Sequence, residues 1–566
     1  MLKAEELNKR TLDEVVNKSC EKHGEKIALA SVKGDKISYA ELLEKVNKVA
    51  SFLLSRGINK GDKVAILAEN QINWGVAYFA VTKIGAILVP IMKEFQPYEI
   101  KHILRHSESK AIFVSSKQYE KLTELECEFL ETVVLIEDFS LVPKETEADF
   151  VKSVINQGKK EFQKIFDKAL EFVGLKDFNI NEDDLALLVY TSGTTGNSKG
   201  VMLTHGNIVS DALATSVFVP FSDNEVLLSV LPLFHTMEST VGFLTPIIIG
   251  ATVYYLDKPP TATSLVPALR KVRPTVMVSV PLIIEKIYRG KILREINSSS
   301  LLSALYKFSP LRKAINKKAG KKLLDTFGGR LRLFALGGAP LSRDVEIFLR
   351  EAKFPYAMGY GLTETSPLCT ASDVHETKLG SAGYPLSGVS VRIASEDPQK
   401  IEGEIQIKGP NVMKGYYKDP ERTAEVFTDD GWFKTGDLGI IDEDGYLFIK
   451  GRSKNMFLGA NGKNIYPEEI ETVINQHPAV AESLVVNRDG KIVALVFLNP
   501  DELEERFGIS KKNGSEVRKI KENVLNEIFK FVNERVPTFS KLNKIEEQKE
   551  EFIKTPTHKI KRFMYK

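Results

Sequence analysis

Apolar and polar positions along the chain follow two periods that replace one another at short intervals. Runs rich in β-branched residues, at 63–67, 111–114, 132–136, 276–280 and 331–335, read as buried strands, and stretches such as 39–54 and 74–84 carry the helical spacing. Strands alternating with helices predict α/β layers built on largely parallel sheets. From about residue 380 the pattern changes to short strands joined by turns, at 389–393, 403–407 and 442–449, where Asp444-Gly445 signals a hairpin. This predicts a distorted β subdomain closing a large domain. Beyond Arg452 the pattern restarts with a helix at 467–476, strands at 483–487 and 491–497, and a charged helix at 516–535. The expected organisation is therefore a large N-terminal α/β domain over 1–452 and a small, mobile α+β domain over 453–566.

The bulk numbers narrow the class. A chain of 566 residues exceeds what one core serves, and 43% hydrophobic with 27% charged residues is ordinary for a soluble globular protein. A formal charge of +3 gives no signal for nucleic acid. Cys20, Cys127 and Cys369 lie far apart without metal spacing, so a reducing compartment is expected. The first residues alternate charge with apolar side chains and lack the apolar core of a signal peptide. The longest apolar stretch, 241–256, is broken by Thr245, Pro246 and Gly250 and falls short of the roughly 20 residues of a membrane span. A cytoplasmic protein, with peripheral membrane contact left open, is the expectation; oligomeric state is not readable.

The chemistry concentrates at 190–200, Tyr-Thr-Ser-Gly-Thr-Thr-Gly-Asn-Ser-Lys-Gly, directly after the buried run 185–190. Glycines let backbone N–H groups turn toward an anion, the hydroxyls of Thr191, Ser192, Thr194, Thr195 and Ser198 add donors, and Lys199 supplies a compact positive charge. The loop suits phosphates. It is not a Walker A loop, because Lys199 is followed by glycine and an apolar stretch and not by Ser or Thr opening a helix.

Four clusters follow in order. Residues 360–365, Tyr-Gly-Leu-Thr-Glu-Thr, combine an aromatic face for a base with a carboxylate for Mg2+, which takes one or two protein carboxylates plus phosphate oxygens. Residues 430–439 present Asp437 on a glycine-flanked turn suited to ribose hydroxyls. Residues 451–455 bring Arg452 to the proposed boundary, and 555–562 offer Lys559 in a context that is neither helix nor strand.

With these groups in this order the chain resembles the acyl-adenylate-forming superfamily over essentially its whole length, and within it long-chain fatty acyl-CoA synthetases. The resemblance implies an AMP-forming acid–thiol ligase that uses ATP, Mg2+ and CoA. It implies that Thr191, Ser192, Gly193, Thr194, Thr195, Gly196 and Lys199 enclose the β- and γ-phosphates. Glu364 binds Mg2+, Thr363 contacts the α-phosphate, and Tyr360 with Gly338, Ala339 and Pro340 lines the adenine pocket. Asp437 and Arg452 hold ribose, and His235 lies beside the reacting carboxylate. Lys559 bridges the acyl carboxylate and α-phosphate during adenylation. The small domain then turns about Lys454 and presents the loop bearing Gly459 and Gly462 to the CoA channel. Departures from the commonest pattern are His558 before the lysine, Lys454 for an aspartate and Gly462 without a paired glycine, which makes Lys561 a rival to Lys559.

An acetate-specific branch of the superfamily has tryptophan where this chain has Gly361, so Gly361 implies a deeper acyl pocket. Within 285–332 there are thirteen Lys/Arg against three carboxylates, interleaved with apolar residues. That composition fits either a solvated helical face or contact with an anionic membrane. The alternatives to CoA as acceptor are a carrier-protein pantetheine or, from another class, a non-catalytic acyl or nucleotide sensor; an adenylate-oxidising luciferase is remoter still.

Overall fold

Strands that are apolar on both faces assemble into the two large sheets. In the computed structural model the described residues are 1–123, 127–142, 178–191, 198–218, 221–222, 224–458, 464–555 and 559–565. The nine-stranded sheet runs, edge to edge, Tyr384–Pro385, Leu368–Ala371, Tyr356–Gly361, Leu333–Leu336, Val276–Ser279, Val226–Ser229, Thr252–Tyr255, Ile27–Ser31 and Lys36–Ser38. Its six central strands are parallel, and Val276–Ser279 is buried at every position, as a strand covered on both faces must be. The eight-stranded sheet runs Gly415–Tyr416, Lys199–Thr204, Leu185–Thr191, Ile87–Pro90, Lys63–Leu67, Ser109–Val114, Thr132–Leu135 and Leu141–Val142.

The largest core gathers residues of both sheets with the helix Ile72–Lys83, which is buried nearly all round from Trp74 onward. Gly75 is required there, since a Cβ would stand 2.9 Å from the Phe243 ring. Expected strands and helices recur within one to three residues, and the expected 442–449 hairpin is present. Phe433–Ile441 pairs antiparallel with Leu447–Arg452, Gly445 takes φ 83°, and Asp442 Oδ1 accepts the N–H groups of Asp444 and Tyr446. These strands join Gly403–Lys408 and Ser390–Ala394 in a four-stranded antiparallel sheet.

The C-terminal small domain has its own core. The helix Pro467–Ile474 and the capped helix Gly514–Asn533 pack Ile470, Ile474, Ile528 and Val532 with the strands Val480–Arg488 and Lys491–Leu498. A parallel strand that the sequence pattern does not announce, Lys544–Glu547, completes the sheet. The chain then doubles back: Lys554 bridges to Ile560, Lys554 pairs with Glu482, and Arg562 pairs with the buried Glu471. The domain also meets the large one directly. Arg289 donates to both oxygens of Asp344 and to the Gln476 carbonyl, and Arg294 lies 2.9 Å from Glu505.

Candidate active site

Parallel strands end on one edge, and in an open α/β sheet that edge is where ligands bind. Val226–Ser229 leads there into the turn that carries His235, whose N–H donates to the Pro232 carbonyl at 3.1 Å. Leu333–Leu336 leads into the exposed Gly338, Ala339 and Pro340, with Gly338 at φ 78°. Tyr356–Gly361 ends beside them, because Leu336 pairs with Met358. Thr363, half-buried, then opens a single 3-10 turn, Thr363–Thr365, that points Glu364 inward.

The second sheet supplies the cation. Leu185–Thr191 and Lys199–Thr204 form a hairpin in which Thr191 pairs with Lys199. Lys199 Nζ lies 2.7 Å from Glu364 Oε1, and the Tyr416 hydroxyl lies 2.6 Å from Lys199 Nζ and 2.9 Å from the same carboxylate oxygen. Glu364 is 8% exposed. Burial alone would raise its carboxyl, but the charge and hydrogen bond of Lys199, with the Tyr416 hydroxyl, outweigh that and hold it below the usual range. The Thr191 hydroxyl oxygen is buried without a hydrogen-bond partner among the described residues, a donor left over beside the loop.

A second acidic centre lies across the cleft. Asp437 and Arg452 face each other on adjacent antiparallel strands, with Arg452 Nε 2.7 Å from Asp437 Oδ1, while the Tyr360 hydroxyl donates to Oδ2 at 2.7 Å. Burial raises the Asp437 carboxyl, opposed by Arg452, Tyr360 and Lys559. Tyr360 is only 9% exposed, so in this arrangement its observed role is to hold Asp437.

Lys559 reaches this centre from the small domain. Its backbone is tied to Thr555 by two hydrogen bonds, and its ammonium lies within the field of Arg452, Asp437 and Glu364. The residue as a whole is exposed, yet its ammonium sits in dense surroundings: desolvation and Arg452 lower its pKa, against the two carboxylates. His235 is pushed down to about 4 by burial and by the charge of Lys559, so its imidazole is neutral near pH 7. Lys561, by contrast, is held in the tail, its N–H on the Ile553 carbonyl.

The structure thus brings together Lys199, Glu364, Tyr360, Asp437, Arg452, Lys559 and His235. Ser192, Gly193, Thr194, Thr195, Gly196, Gly459 and Gly462 lie outside the described residues. Lys454 stands in an exposed turn directly after the strand Leu447–Arg452. At Gly361 a Cβ would stand 1.8 Å from the Pro367 carbonyl oxygen, so the crossing backbone is a second reason for glycine there, beside the room that the resemblance implies for the acyl chain.

Sequence reasoning passed over Tyr416, whose ring also lies 4.2 Å from Lys199 Nζ. An aromatic pair after Gly415 is a weak signal, and only the pairing of Gly415–Tyr416 with Lys199–Thr204 gives it meaning. It also passed over a buried polar chain behind His235. Asn70 Nδ2 donates to Ser229 Oγ at 3.1 Å, Ser229 donates to Glu238 Oε1 at 2.5 Å, and Asn70 Oδ1 accepts the Leu233 N–H. Glu238 follows His235 in a π-helix, Met237–Leu244, and pins the turn from beneath.

Among the described residues no three His, Cys, Asp or Glu side chains gather to hold a metal. A largely buried carboxylate beside a lysine fits a Mg2+ whose remaining ligands are phosphate oxygens and water.

The profile of the family described as AMP-binding enzyme matches residues 16–417. The long-chain-fatty-acid–CoA ligase FadD15 of Mycobacterium bovis is 30% identical over 498 residues, 83% of this chain and 78% of that protein. A chloroplastic long-chain-fatty-acid–[acyl-carrier-protein] ligase, AEE15, of Arabidopsis thaliana is 28% identical over 88% of this chain and 77% of its own. Among solved structures, ATP-bound MatB from Rhodopseudomonas palustris is 25% identical with a TM-score of 0.75 over 98% of both chains. The O-succinylbenzoate coenzyme A synthetase of Bacillus subtilis, in complex with ATP and magnesium ion, shares the fold at 23% identity and a TM-score of 0.72 over 97% of this chain and 98% of that one.

Proposed function

The chain belongs to the AMP-binding enzyme family, and from that premise we propose that it activates a medium- to long-chain fatty acid with ATP to acyl-AMP and pyrophosphate, then passes the acyl group to CoA with release of AMP. The observation that carries this reading is the convergence of Lys559, from the small domain, with Asp437, Arg452, Glu364 and His235 at one strand edge.

In the first half-reaction a carboxylate oxygen attacks the α-phosphorus and the bond to pyrophosphate breaks. Both reactants are anions, so rate comes from neutralising charge and aligning atoms. Lys559 would lie between the acyl carboxylate and the α-phosphate, Thr363 would donate to that phosphate, and Lys199 with the 191–196 loop would hold the leaving phosphates. Asp437 and Arg452 would take the ribose hydroxyls, and Tyr360 with Gly338, Ala339 and Pro340 would border the base. Glu364 would hold Mg2+, which when bound supplies positive charge to the phosphate oxygens. Neutral His235 would border the carboxylate without adding a charge.

In the second half-reaction the CoA sulfur bonds to the acyl carbonyl carbon and AMP leaves with the electron pair of the broken C–O bond. Lys559 has no part in that step. We therefore read 1–452 and 453–566 as units that turn about Lys454, withdrawing Lys559 and bringing the Gly459 and Gly462 loop to the thiol channel. A carrier-protein pantetheine is the second reading for the acceptor, favoured by the similarity to the acyl-carrier-protein ligase. The reading includes a cytoplasmic location with peripheral contact to an anionic membrane through part of 285–332.

The test is pyrophosphate release from MgATP across saturated acids from acetate to long chains, with and without CoA. CoA-dependent turnover that peaks at longer chains supports the reading. A single equivalent of pyrophosphate, without CoA turnover, moves the acceptor to a carrier protein.

A further inference from the structure

Two arginines of the large domain reach the small one from a single helical stretch. It runs from Pro281–Ile287 through a π-helix, Tyr288–Leu293, to a last α turn, Arg294–Asn297. Arg289 and Arg294 are five residues apart. In a regular α-helix that spacing sends side chains to different faces, whereas the i→i+5 hydrogen bonding of a π-helix brings them one above the other. The π segment therefore presents both guanidinium groups to the small domain.

Arg289 is oriented from within the large domain. Its Nη1 and Nη2 lie 3.1 and 3.2 Å from the two oxygens of Asp344, a two-pronged hold that fixes the plane of the fork. Asp344 lies in the first turn of the helix Arg343–Glu351, and Glu285, one turn before Arg289, accepts the Ser342 N–H at 2.8 Å. Both ties lie just beyond Gly338, Ala339 and Pro340. Across the domain boundary, Nη1 also donates to the Gln476 carbonyl at 3.2 Å. Gln476 sits in the turn after the helix Pro467–Ile474, and that helix holds Glu471, the partner of Arg562 in the tail that carries Lys559. One helix thus connects the Arg289 contact to Lys559. Arg294 and Glu505, 2.9 Å apart and both exposed, form a second tie to the helix Pro500–Phe507.

We propose that Arg289 is a positioning residue for adenylation: it docks the small domain in the orientation that places Lys559 in the cleft, with Arg294 and Glu505 as a weaker second tie, a role that rests on the two orientations proposed for the small domain. A charged donor on a backbone carbonyl can break and reform as the domain turns about Lys454, where a broad apolar seam would hold it fixed. Losing these ties removes Lys559 from the cleft more of the time. Thioester formation, in which Lys559 has no part, is left intact.

The experiment reads docking apart from turnover. In a Cys127→Ser background, where Cys20 and Cys369 are buried, the full chain carrying Arg294→Cys and Glu505→Cys is treated with a short bismaleimide, and the rate of intramolecular cross-linking is followed by peptide mass spectrometry with and without Arg289→Ala. Arg289→Ala is expected to slow cross-linking, and in the otherwise unchanged chain to slow pyrophosphate release from MgATP and fatty acid, each by about fivefold, because both track the docked fraction. Thioester formation from supplied acyl-adenylate and CoA should stay near the parent rate. Arg289→Lys, which keeps the charge and a donor, should recover part of the loss. Glu505→Arg should act in the same direction by about twofold, and adding Arg294→Glu should reverse it. Unchanged thermal unfolding of each variant separates these effects from misfolding. Cross-linking that ignores Arg289→Ala, or equal loss of both half-reactions, overturns the proposal. A cross-linked protein that still forms thioester at the parent rate contradicts the turning of the domain instead and leaves the docking contact standing, so the two fail separately.

Discussion

Lys199 and Glu364 stand 165 residues apart in the chain and 2.7 Å apart in space. The pair joins the two large sheets at the cleft: the lysine opens a strand of one, and the glutamate sits on the turn that ends a strand of the other. A nucleotide phosphate and its counter-ion need these two charges at one place.

Replacing Glu364 by glutamine removes the carboxylate proposed to hold Mg2+ and leaves Lys199 without its ion-pair partner. Adenylation should fall by about a hundredfold or more, and the Mg2+ dependence should shift to higher concentration. An unchanged Mg2+ profile in a pyrophosphate-release assay takes Glu364 out of the metal site.

Tyr416→Phe keeps the ring beside Lys199 but deletes the hydroxyl shared with Glu364. Outer partners of a metal ligand typically change metal affinity by about 10–100-fold. We expect a rise in half-saturating Mg2+ of about tenfold, with KM for the fatty acid little changed. Equal loss at all Mg2+ concentrations would assign Tyr416 to packing instead.

Much of this was legible from residue types and order. The strand runs, the 442–449 hairpin, the small C-terminal domain and the charges at 199, 364, 437, 452 and 559 are each visible in short windows. What was not legible depends on pairing between distant segments. Tyr416 gains its place only through a strand pair with 199–204, and Glu238 through Ser229 and Asn70. At Gly361 the close approach of the Pro367 carbonyl oxygen is likewise something no local pattern reveals.

Two histidines, His205 fully buried and His235 half-buried, set an acid limit on stability. His205 is fully buried, its Nδ1 accepts the Leu12 N–H, and burial lowers its pKa to about 4; His235 is similarly pushed down to about 4. Both are neutral in the folded protein and protonate more readily when unfolded. The stability they hold is complete above about pH 6.5 and is lost as pH falls toward 4, on the order of 3 kcal/mol for His205. His205→Asn, whose Oδ1 can take over the Leu12 bond, should flatten the slope in urea unfolding between these values. An unchanged slope would contradict the assignment.

Glu238 has the opposite sign. Burial raises its carboxyl to about 8, and Oε2 has no partner among the described residues. The folded protein therefore keeps a proton there that the unfolded chain releases, so stability falls as pH rises from the ordinary carboxylate range through about 8. Glu238→Gln preserves shape and a hydrogen bond to Ser229, and should be more stable than the parent at pH 8 by about 1 kcal/mol or more. Stability lower than the parent at that pH would mean Glu238 is ionised and paired.

The central claim is that Lys559 serves adenylation alone. The direct measurement takes Lys559→Ala through each half-reaction separately: pyrophosphate release from fatty acid and MgATP, and thioester formation from supplied acyl-adenylate and CoA. The account expects the first to fall by at least about a hundredfold while the second proceeds near the parent rate; equal loss of both would contradict it.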